Sequence, residues 1–556
     1  MSNLSKHKLI AKQREISVLK IEPPRLESYS SDHSTSPPVI QMPRVFNAAH
    51  DLLERNILAG RSDKVAYIDD TGSYTYEDLR VRANQFGNVL RELGLKMEDR
   101  VMIVHSDTID FPAVFLGAIK VGVVPIAVNT LLTADDYEFM MEDSRAKALI
   151  VAAPFLDKLS RAISNSKQLQ HIIVSGECSP EHHHLQGLQS QAGCECEPAV
   201  TSCDDTCFWL YSSGSTGTPK GTIHVHSSLA YTAELYAKPV LGIKETDIVF
   251  SAAKLFFAYG LGNALTFPLT VGATTVLMSE RPTPESVFKR LKEHQPTIFY
   301  GVPTLFGAML ASEKLPSRDE VAIRVATSAG EALPAEIGNR WTSHFGSEIL
   351  DGIGSTEMLH IFLSNRPGGL KYGSTGKPVP GYELRLVDED GRNVPDGELG
   401  ELQIKGPSAA NLYWNQRQKS RETFCGEWTR AGDKYSVDDE GFYTYGGRSD
   451  DMLKVSGLYV SPFEVEGVLV SHNAVLEAAV VGDEDEDKLT KPRAFVVLVD
   501  SSHAASSLEE ELKEYVKSKL APFKYPRWIE FVNELPKTAT GKIQRFKLRQ
   551  RTESEQ

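Results

Sequence analysis

Residues 211–221 read YSSGSTGTPKG, with three glycines, five Ser or Thr hydroxyls, one proline and one lysine in eleven positions. Short apolar runs flank this stretch, CFWLY at 207–211 and TIHV at 222–225, so it is predicted to be a loop joining two neighbouring strands. Glycines let main-chain N–H groups turn inward toward an anion, hydroxyls add further donors, and Lys220 supplies charge. Such a loop is suited to wrapping a polyphosphate. It is not the GxxxxGK[ST] loop of the common nucleotide hydrolases, because Lys220 is followed by Gly221 and the glycine spacing differs. A solvated Ser/Gly linker is the plain alternative for this composition, and the flanking strands and closing PKG argue against it.

A chain of 556 residues exceeds what one hydrophobic core serves, so two or more domains are expected. Its net charge of -14 disfavours a nucleic-acid partner but says nothing against an anionic substrate held by local basic groups. The longest apolar run, residues 112–128, contains Lys120, Gly117, Gly122 and Pro125, and reads as a buried helix followed by a strand, with no membrane span. Six cysteines in so long a chain do not form a disulfide scaffold, and they point to a reducing, cytoplasmic setting. Cys194, Cys196, Cys203 and Cys207, with His182, His183 and His184 upstream, invite a metal reading; their spacing matches no regular zinc pattern, and Cys207 opens an apolar strand.

Residues 1–44 differ from the rest. Basic residues at 6–25 face few acids and residues 28–43 are rich in Ser and Pro, so a disordered or loosely attached tail is expected. Glu15 and Glu22, and the lack of an amphipathic arginine helix, count against a transit peptide. From residue 45, strand-like runs (65–69, 100–104, 148–151, 171–174, 274–278, 297–300 and 323–327) alternate with helical segments such as 76–93, which predicts an α/β architecture with substantial parallel sheet. After Pro378 short strands and Gly-rich turns predict a small β-rich subdomain. Beyond about residue 449 a separate α+β domain is expected over 450–556: a capping box at Ser461–Glu464 with Pro462 at the first helical position, strands at 478–481 and 494–499, and a helix over 508–520. The large domain is then 45–449.

Six runs in order, YSSGSTGTPKG (211–221), GEALP (330–334), DGIGSTE (351–357), TRAGD (429–433), GRSDDMLKVSG (447–457) and PKTATGKIQR (536–545), resemble those of the adenylate-forming superfamily, which includes acyl-CoA synthetases, peptide-synthetase adenylation domains and firefly luciferase. KLFFAYGLGNALTFPL (254–269) and DGIGSTEMLHIFLSN (351–365) are most similar to the benzoate-CoA ligase, or aryl-CoA ligase, subgroup. The resemblance implies a large N-terminal domain and a small mobile C-terminal one. It also implies a two-step reaction using ATP, Mg²⁺ and coenzyme A, in which an aromatic carboxylate becomes an acyl-AMP and then a CoA thioester.

On this resemblance, Ser212, Ser213, Gly214, Ser215, Thr216, Gly217 and Lys220 would grip the β- and γ-phosphates, and Glu357, preceded by Thr356, would be the Mg²⁺ ligand. Gly330, Glu331, Ala332, Asp351 and Gly352 would wall the adenine, Asp433 would accept the ribose hydroxyls, and Arg448 would add a cationic fork. Lys542 would bridge the attacking carboxylate and the α-phosphate. Asp450 would be the hinge, and Gly457, after Lys454, would let pantetheine pass. Ala258, Tyr259, Ala329, Gly354, His360 and Ile361 would enclose the ring, the small residues leaving room, Tyr259 and Ile361 giving apolar walls, and His360 bonding the carboxylate or capping the far end. A lone histidine between Leu359 and Ile361 is more often a packed core residue. Two other functions stay open, a ligase loading a carrier-bound pantetheine in trans and a nucleotide sensor that kept the fold. The preferred acid and the choice between monomer and homodimer are also open.

Overall fold

The structure is a computed structural model, and it describes residues 25–177, 179–212, 219–448, 451–455, 458–486, 489–537 and 543–554. Two large sheets form its body. The first has eight strands, in the spatial order Leu412–Tyr413, Lys220–Val225, Thr206–Ser212, Val124–Ala127, Arg100–Val104, Ala148–Ala152, His171–Ser175 and His183–His184. From Thr206–Ser212 onward the neighbours run parallel, whereas Thr206–Ser212, Lys220–Val225 and Leu412–Tyr413 pair antiparallel. The second has nine strands with a parallel centre and antiparallel pairs at both edges. Parallel strands are covered on both faces, which is why runs such as VMIV (101–104) and LIV (149–151) are apolar at every position and fully buried.

The helix Tyr76–Glu92 shows how local sequence sets a layer. Thr75 and Asp78 form a reciprocal capping box at its start. Leu79, Phe86, Val89 and Leu90 recur at helical spacing and are at most 1% exposed, each stabilising the fold by roughly 1.5–3 kcal/mol through burial. This helix packs on Asp110–Lys120 so tightly that a Cβ on Gly117 would lie 2.5 Å from the Ala83 carbonyl oxygen. Asp110–Lys120 is buried along its length, and Lys120 Nζ reaches Asn84 Oδ1 at 2.7 Å and Glu54 at 3.1 Å, so its charge is paired inside the protein. Among the described residues no helix is long and apolar enough to cross a membrane.

Strands Glu383–Val387, Gly400–Lys405, Phe424–Cys425, Trp428–Val437 and Tyr443–Arg448 form a five-stranded antiparallel sheet, and the C-terminal unit places Pro462–Val470 and Ser506–Lys519 against Val475–Glu484, Thr490–Leu498 and Trp528–Phe531. Ser461 caps Pro462–Val470 as expected, but the Glu464 carboxylate is held by Lys524 at 2.6 Å, so the reciprocal half of the predicted box gives way to a tertiary ion pair.

The predicted tail requires correction over residues 25–44. Ser30–Asp32 pairs with Val39–Gln41, and Tyr29 is 7% exposed. The Tyr29 hydroxyl donates to Glu234 Oε1 at 2.8 Å, and His33 Nε2 lies 2.6 Å from Glu234 Oε2. Glu234 has no exposed side-chain surface, and Lys238 completes its pairing at 2.6 Å. A buried carboxylate needs partners, and the N-terminal hairpin supplies two of them.

Candidate active site

Strands Thr206–Ser212 and Lys220–Val225 pair antiparallel with Ser212 opposite Lys220, so the polar loop closes a hairpin between neighbouring strands. Ser213, Gly214, Ser215, Thr216 and Gly217 lie outside the described residues, as do Asp450, Gly457 and Lys542. The hairpin base is described and is firmly held. The Tyr211 hydroxyl donates to Asp143 Oδ2 at 2.8 Å, and Trp414 Nε1 donates to the Asp143 carbonyl at 2.9 Å.

Side chains alternate along Lys220–Val225, so Lys220, Thr222 and His224 share one face. That face meets the turn after strand Glu348–Gly354. His224 Nε2 donates to the Thr356 carbonyl at 2.7 Å, and Glu357 Oε1 accepts from Ser212 Oγ at 3.2 Å and lies 3.8 Å from Lys220 Nζ. Burial lowers the Lys220 pKa, opposed by the Glu357 charge, and burial pushes His224 down to about 4, leaving it neutral. Tyr413, which the sequence reading missed, sits in the middle: its hydroxyl donates to Glu357 Oε1 at 2.7 Å and accepts from Lys220 Nζ at 3.3 Å. The only sequence signal for it is the aromatic pair Tyr413-Trp414, and its lysine partner is 193 residues away.

The nucleoside-side candidates lie on strands or just beyond them. Asp351 ends its parallel pairing opposite Ser328 and is 4% exposed; burial holds its carboxyl well above the usual range, partly offset by the Leu333 and Gly352 amides. The Leu333 amide ties the end of the 330–333 segment to Asp351. Gly330 turns the chain at φ +95°, a conformation that requires glycine. Glu331 and Ala332, half-buried, follow that turn. Asp433 and Arg448 are register partners in the antiparallel pair Trp428–Val437 and Tyr443–Arg448, with Arg448 Nη1 3.5 Å from Asp433 Oδ1.

At the other end of the same turn the chain enters a ring-lined region. Ala329 and Ile361 belong to one buried apolar cluster with Tyr259 packed against it, and half-buried Ala258 begins the short helix Ala258–Leu261. His360 is 3% exposed, with Tyr236, Tyr259 and Phe267 rings 5.3, 5.6 and 4.5 Å from its own. Its Nε2 faces two acceptors, Asn263 Oδ1 at 3.1 Å and the Tyr259 carbonyl at 3.3 Å, which places the proton there. Nδ1 is a buried acceptor with no partner among the described residues, and burial lowers the pKa to about 3.

Two expectations need correction, and one residue is added. Tyr259 is not a purely apolar wall, since its hydroxyl bonds Thr327 Oγ1. Gly354 does not leave room for a ring, because a Cβ there would meet the His360 carbonyl carbon and oxygen at 2.6 Å; the chain itself fills that space. Gly262, which the sequence reading did not single out, makes room for the His360 imidazole, with a Cβ there 2.4 Å from Cδ2. Among the described residues no three His, Cys, Asp or Glu side chains converge as a metal cluster, and Cys207 is 1% exposed in the core.

A hairpin whose Lys220 lies beside the Glu357 carboxylate, an Asp–Arg register pair, and a ring-lined region on one turn are set on this two-sheet body. The profile of the AMP-binding enzyme family matches residues 53–414, that of the AMP-binding enzyme C-terminal domain matches residues 464–542, and the chain belongs to this family. It is 61% identical over 521 residues to a benzoate–CoA ligase of Thauera aromatica, covering 93% of this chain and 98% of that one. A 4-hydroxybenzoate–CoA/benzoate–CoA ligase of Rhodopseudomonas palustris is 49% identical over 515 residues, covering 92% and 95%. The solved benzoate CoA ligase from Burkholderia xenovorans LB400 superposes with a TM-score of 0.85 at 58% identity, covering 91% of this chain and all of that one.

Proposed function

We propose that the chain is an ATP-dependent aryl-CoA ligase, an acid–thiol ligase that converts benzoate to benzoyl-CoA through benzoyl-AMP and releases AMP and pyrophosphate. The observation that carries this reading is that one short segment, residues 354–361, sets Glu357 beside Lys220 on one side and His360 and Ile361 among rings on the other. Phosphate chemistry and an aromatic acid are thereby brought to the two faces of a single turn.

The residues present fit a magnesium ion. Glu357 is a hard oxygen donor whose described partners all converge on Oε1, and no described donor is placed on Oε2. Bound there, Mg²⁺ would neutralise charge on the phosphate oxygens. Lys220 and the hairpin loop hold the β- and γ-phosphates, Asp433 and Arg448 hold the ribose side, and Asp351 and residues 330–332 wall the adenine. A benzoate oxygen then attacks the α-phosphorus; a C–O–P linkage forms, the bond to the β-phosphate oxygen breaks, and pyrophosphate leaves. Lys542, on the C-terminal domain, bridges the two anions in that step. In the second step the CoA thiolate attacks the acyl carbonyl, the thioester forms and AMP departs, the domain having turned about Asp450 so that Gly457 admits the pantetheine.

Neutral His360 and the rings around it favour an uncharged aromatic ring next to the reacting carboxylate. The described cysteines, Cys194, Cys196, Cys203, Cys207 and Cys425, are free thiols, which agrees with a cytoplasmic setting.

A panel of benzoate, hydroxybenzoates, halobenzoates and alicyclic acids, assayed for AMP release with coenzyme A and no carrier protein, tests the reading. Benzoate-dependent AMP and benzoyl-CoA in equal amounts are expected, and AMP release that needs a carrier protein would overturn it. Lys542→Ala is expected to abolish benzoyl-AMP formation and to spare thioester formation from supplied benzoyl-AMP; equal loss of both steps removes the assignment of Lys542.

A further inference from the structure

Tyr413 occupies an unusual position between two opposite charges. Lys220 Nζ and Glu357 Oε1 are 3.8 Å apart, too far for a hydrogen bond, while both touch the Tyr413 hydroxyl, at 3.3 and 2.7 Å. The roles balance, since the ammonium donates to the phenol oxygen and the phenol O–H donates to the carboxylate. The Lys220 ammonium also lies 4.4 Å from the centre of the Tyr413 ring. Both charged side chains are mostly shielded, at 14% and 15% exposure, so their attraction is strong enough to close the gap if nothing stands between them.

The main chain shows that this tyrosine is held in place independently of either charge. Thr222 and Tyr413 are register partners, which puts Tyr413 on the face that carries Lys220. On either side of it, the Asn411 amide donates to the Ile223 carbonyl at 3.0 Å and the Trp414 amide to the Gly221 carbonyl at 2.8 Å, while the Ala410 amide donates to the Glu357 carbonyl at 2.7 Å. Residues 410–414 thus brace the return strand of the loop hairpin against the turn carrying Glu357. Phe424 backs the phenol ring at 5.2 Å.

We propose that Tyr413 is a positioning residue that spaces Lys220 from Glu357, keeping the lysine charge directed to the triphosphate and the carboxylate available to its cation. This rests on the ligase reading above. Without the hydroxyl, Lys220 and Glu357 close into a direct pair, and each then serves the other in place of MgATP.

The test uses the full-length protein and MgATP binding measured by calorimetry in the absence of acid and coenzyme A. Tyr413→Phe keeps the ring and its packing but removes the bridge; MgATP binding is expected to weaken about tenfold to a hundredfold, the cost of one lost hydrogen bond to a charged group. Benzoate and coenzyme A KM values and the melting temperature are expected to stay near wild type. In a Lys220→Ala background the Tyr413→Phe penalty is expected to vanish, since no pair remains to collapse. A crystal structure of Tyr413→Phe should show Lys220 Nζ within hydrogen-bond distance of Glu357. Unchanged MgATP affinity, an equal loss for all three substrates, or a penalty that persists without Lys220 would each overturn the spacer role. Failure of the wild-type chain to bind MgATP would sink the ligase reading itself, and the spacer role with it.

Discussion

On the proposed ligase reading, the two ends of the turn at residues 354–361 solve opposite problems. On the phosphate side, the charged Lys220 and Glu357 and the neutral hydroxyls of Ser212 and Tyr413 are largely shielded from solvent and bond one another. On the acid side, His360 is buried and neutral, and Asn263 Nδ2, Ser328 Oγ, His360 Nδ1 and the hydroxyl of Tyr300, whose ring lies 6.3 Å from that of Tyr259, have no partner among the described residues. A site for a polyanion needs charges held ready and apart. A site for a flat ring needs shape, and it tolerates polar atoms that its own packing leaves idle. Substitutions on the first side should therefore act on catalysis with little effect on folding, and those on the second should act on folding and substrate choice together.

The largest expected effect is that of Glu357→Gln. It keeps the shape of the side chain and removes its charge, so kcat/KM for MgATP should fall by about 10²–10³ with the benzoate KM and melting temperature nearly unchanged. A matching loss of thermal stability would erase the contrast between the two sides. Next comes Ile361→Ala, which leaves a hole where the native side chain is 1% exposed. It should cost roughly 2–5 kcal/mol in urea unfolding, and the surviving enzyme should accept bulkier ring substituents than wild type. A stable variant with an unchanged acid profile would remove Ile361 from the pocket.

Much of this molecule was legible before any coordinates, and the division between what was and was not has a physical cause. Val65–Asp69 and Arg100–Val104 match their predicted bounds; in the second, VMIV (101–104) is buried on both faces and so is apolar at every position. The hairpin around the polyphosphate loop was equally plain, since Gly, Ser and Pro punctuate two apolar runs. Tyr413 was not legible, because its role comes from a register with Thr222 that no local pattern encodes. Asn263 and Tyr236 escaped for the same reason: both lie in wide-turned helical segments, Gly262–Thr266 and Ala233–Leu241, whose side-chain directions do not follow ordinary helical spacing. The N-terminal hairpin has the composition of a disordered tail, and its order is made by Glu234, more than 200 residues away.

A smaller effect separates the two sides by pH. Burial depresses the folded-state pKa of His360 and of His226 to about 3, below the ordinary value of 6.5. Between those values the unfolded chain binds more protons than the folded one, so the stability each contributes is fully present above pH 6.5 and is lost as pH falls toward 3. The loss approaches ~1.4 kcal/mol per pH unit for each residue. The melting temperature should therefore drop between pH 6.5 and 5, and His226→Gln should flatten that slope. The pH–rate profile above pH 6 should show no step from His360, and His360→Gln should leave its shape intact. A titration assigned to His360 near neutrality would contradict the neutral acid side.

The smallest effect concerns the idle polar atoms. Ser328 Oγ is buried and has no partner among the described residues, so Ser328→Ala removes a desolvated hydroxyl without breaking a bond. The change in unfolding free energy should lie within about 1 kcal/mol and should favour the variant, because a buried unsatisfied group is itself a cost. Ser328 ends its pairing beside Asp351 and precedes Ala329, at the junction of the nucleoside and acid ends. If its hydroxyl is idle only until substrate arrives, Ser328→Ala will raise the KM for ATP or benzoate while the protein becomes no less stable. If both KM values hold, the hydroxyl is packing alone, and the idle polar atoms of the acid side are a property of the fold with no part in recognition.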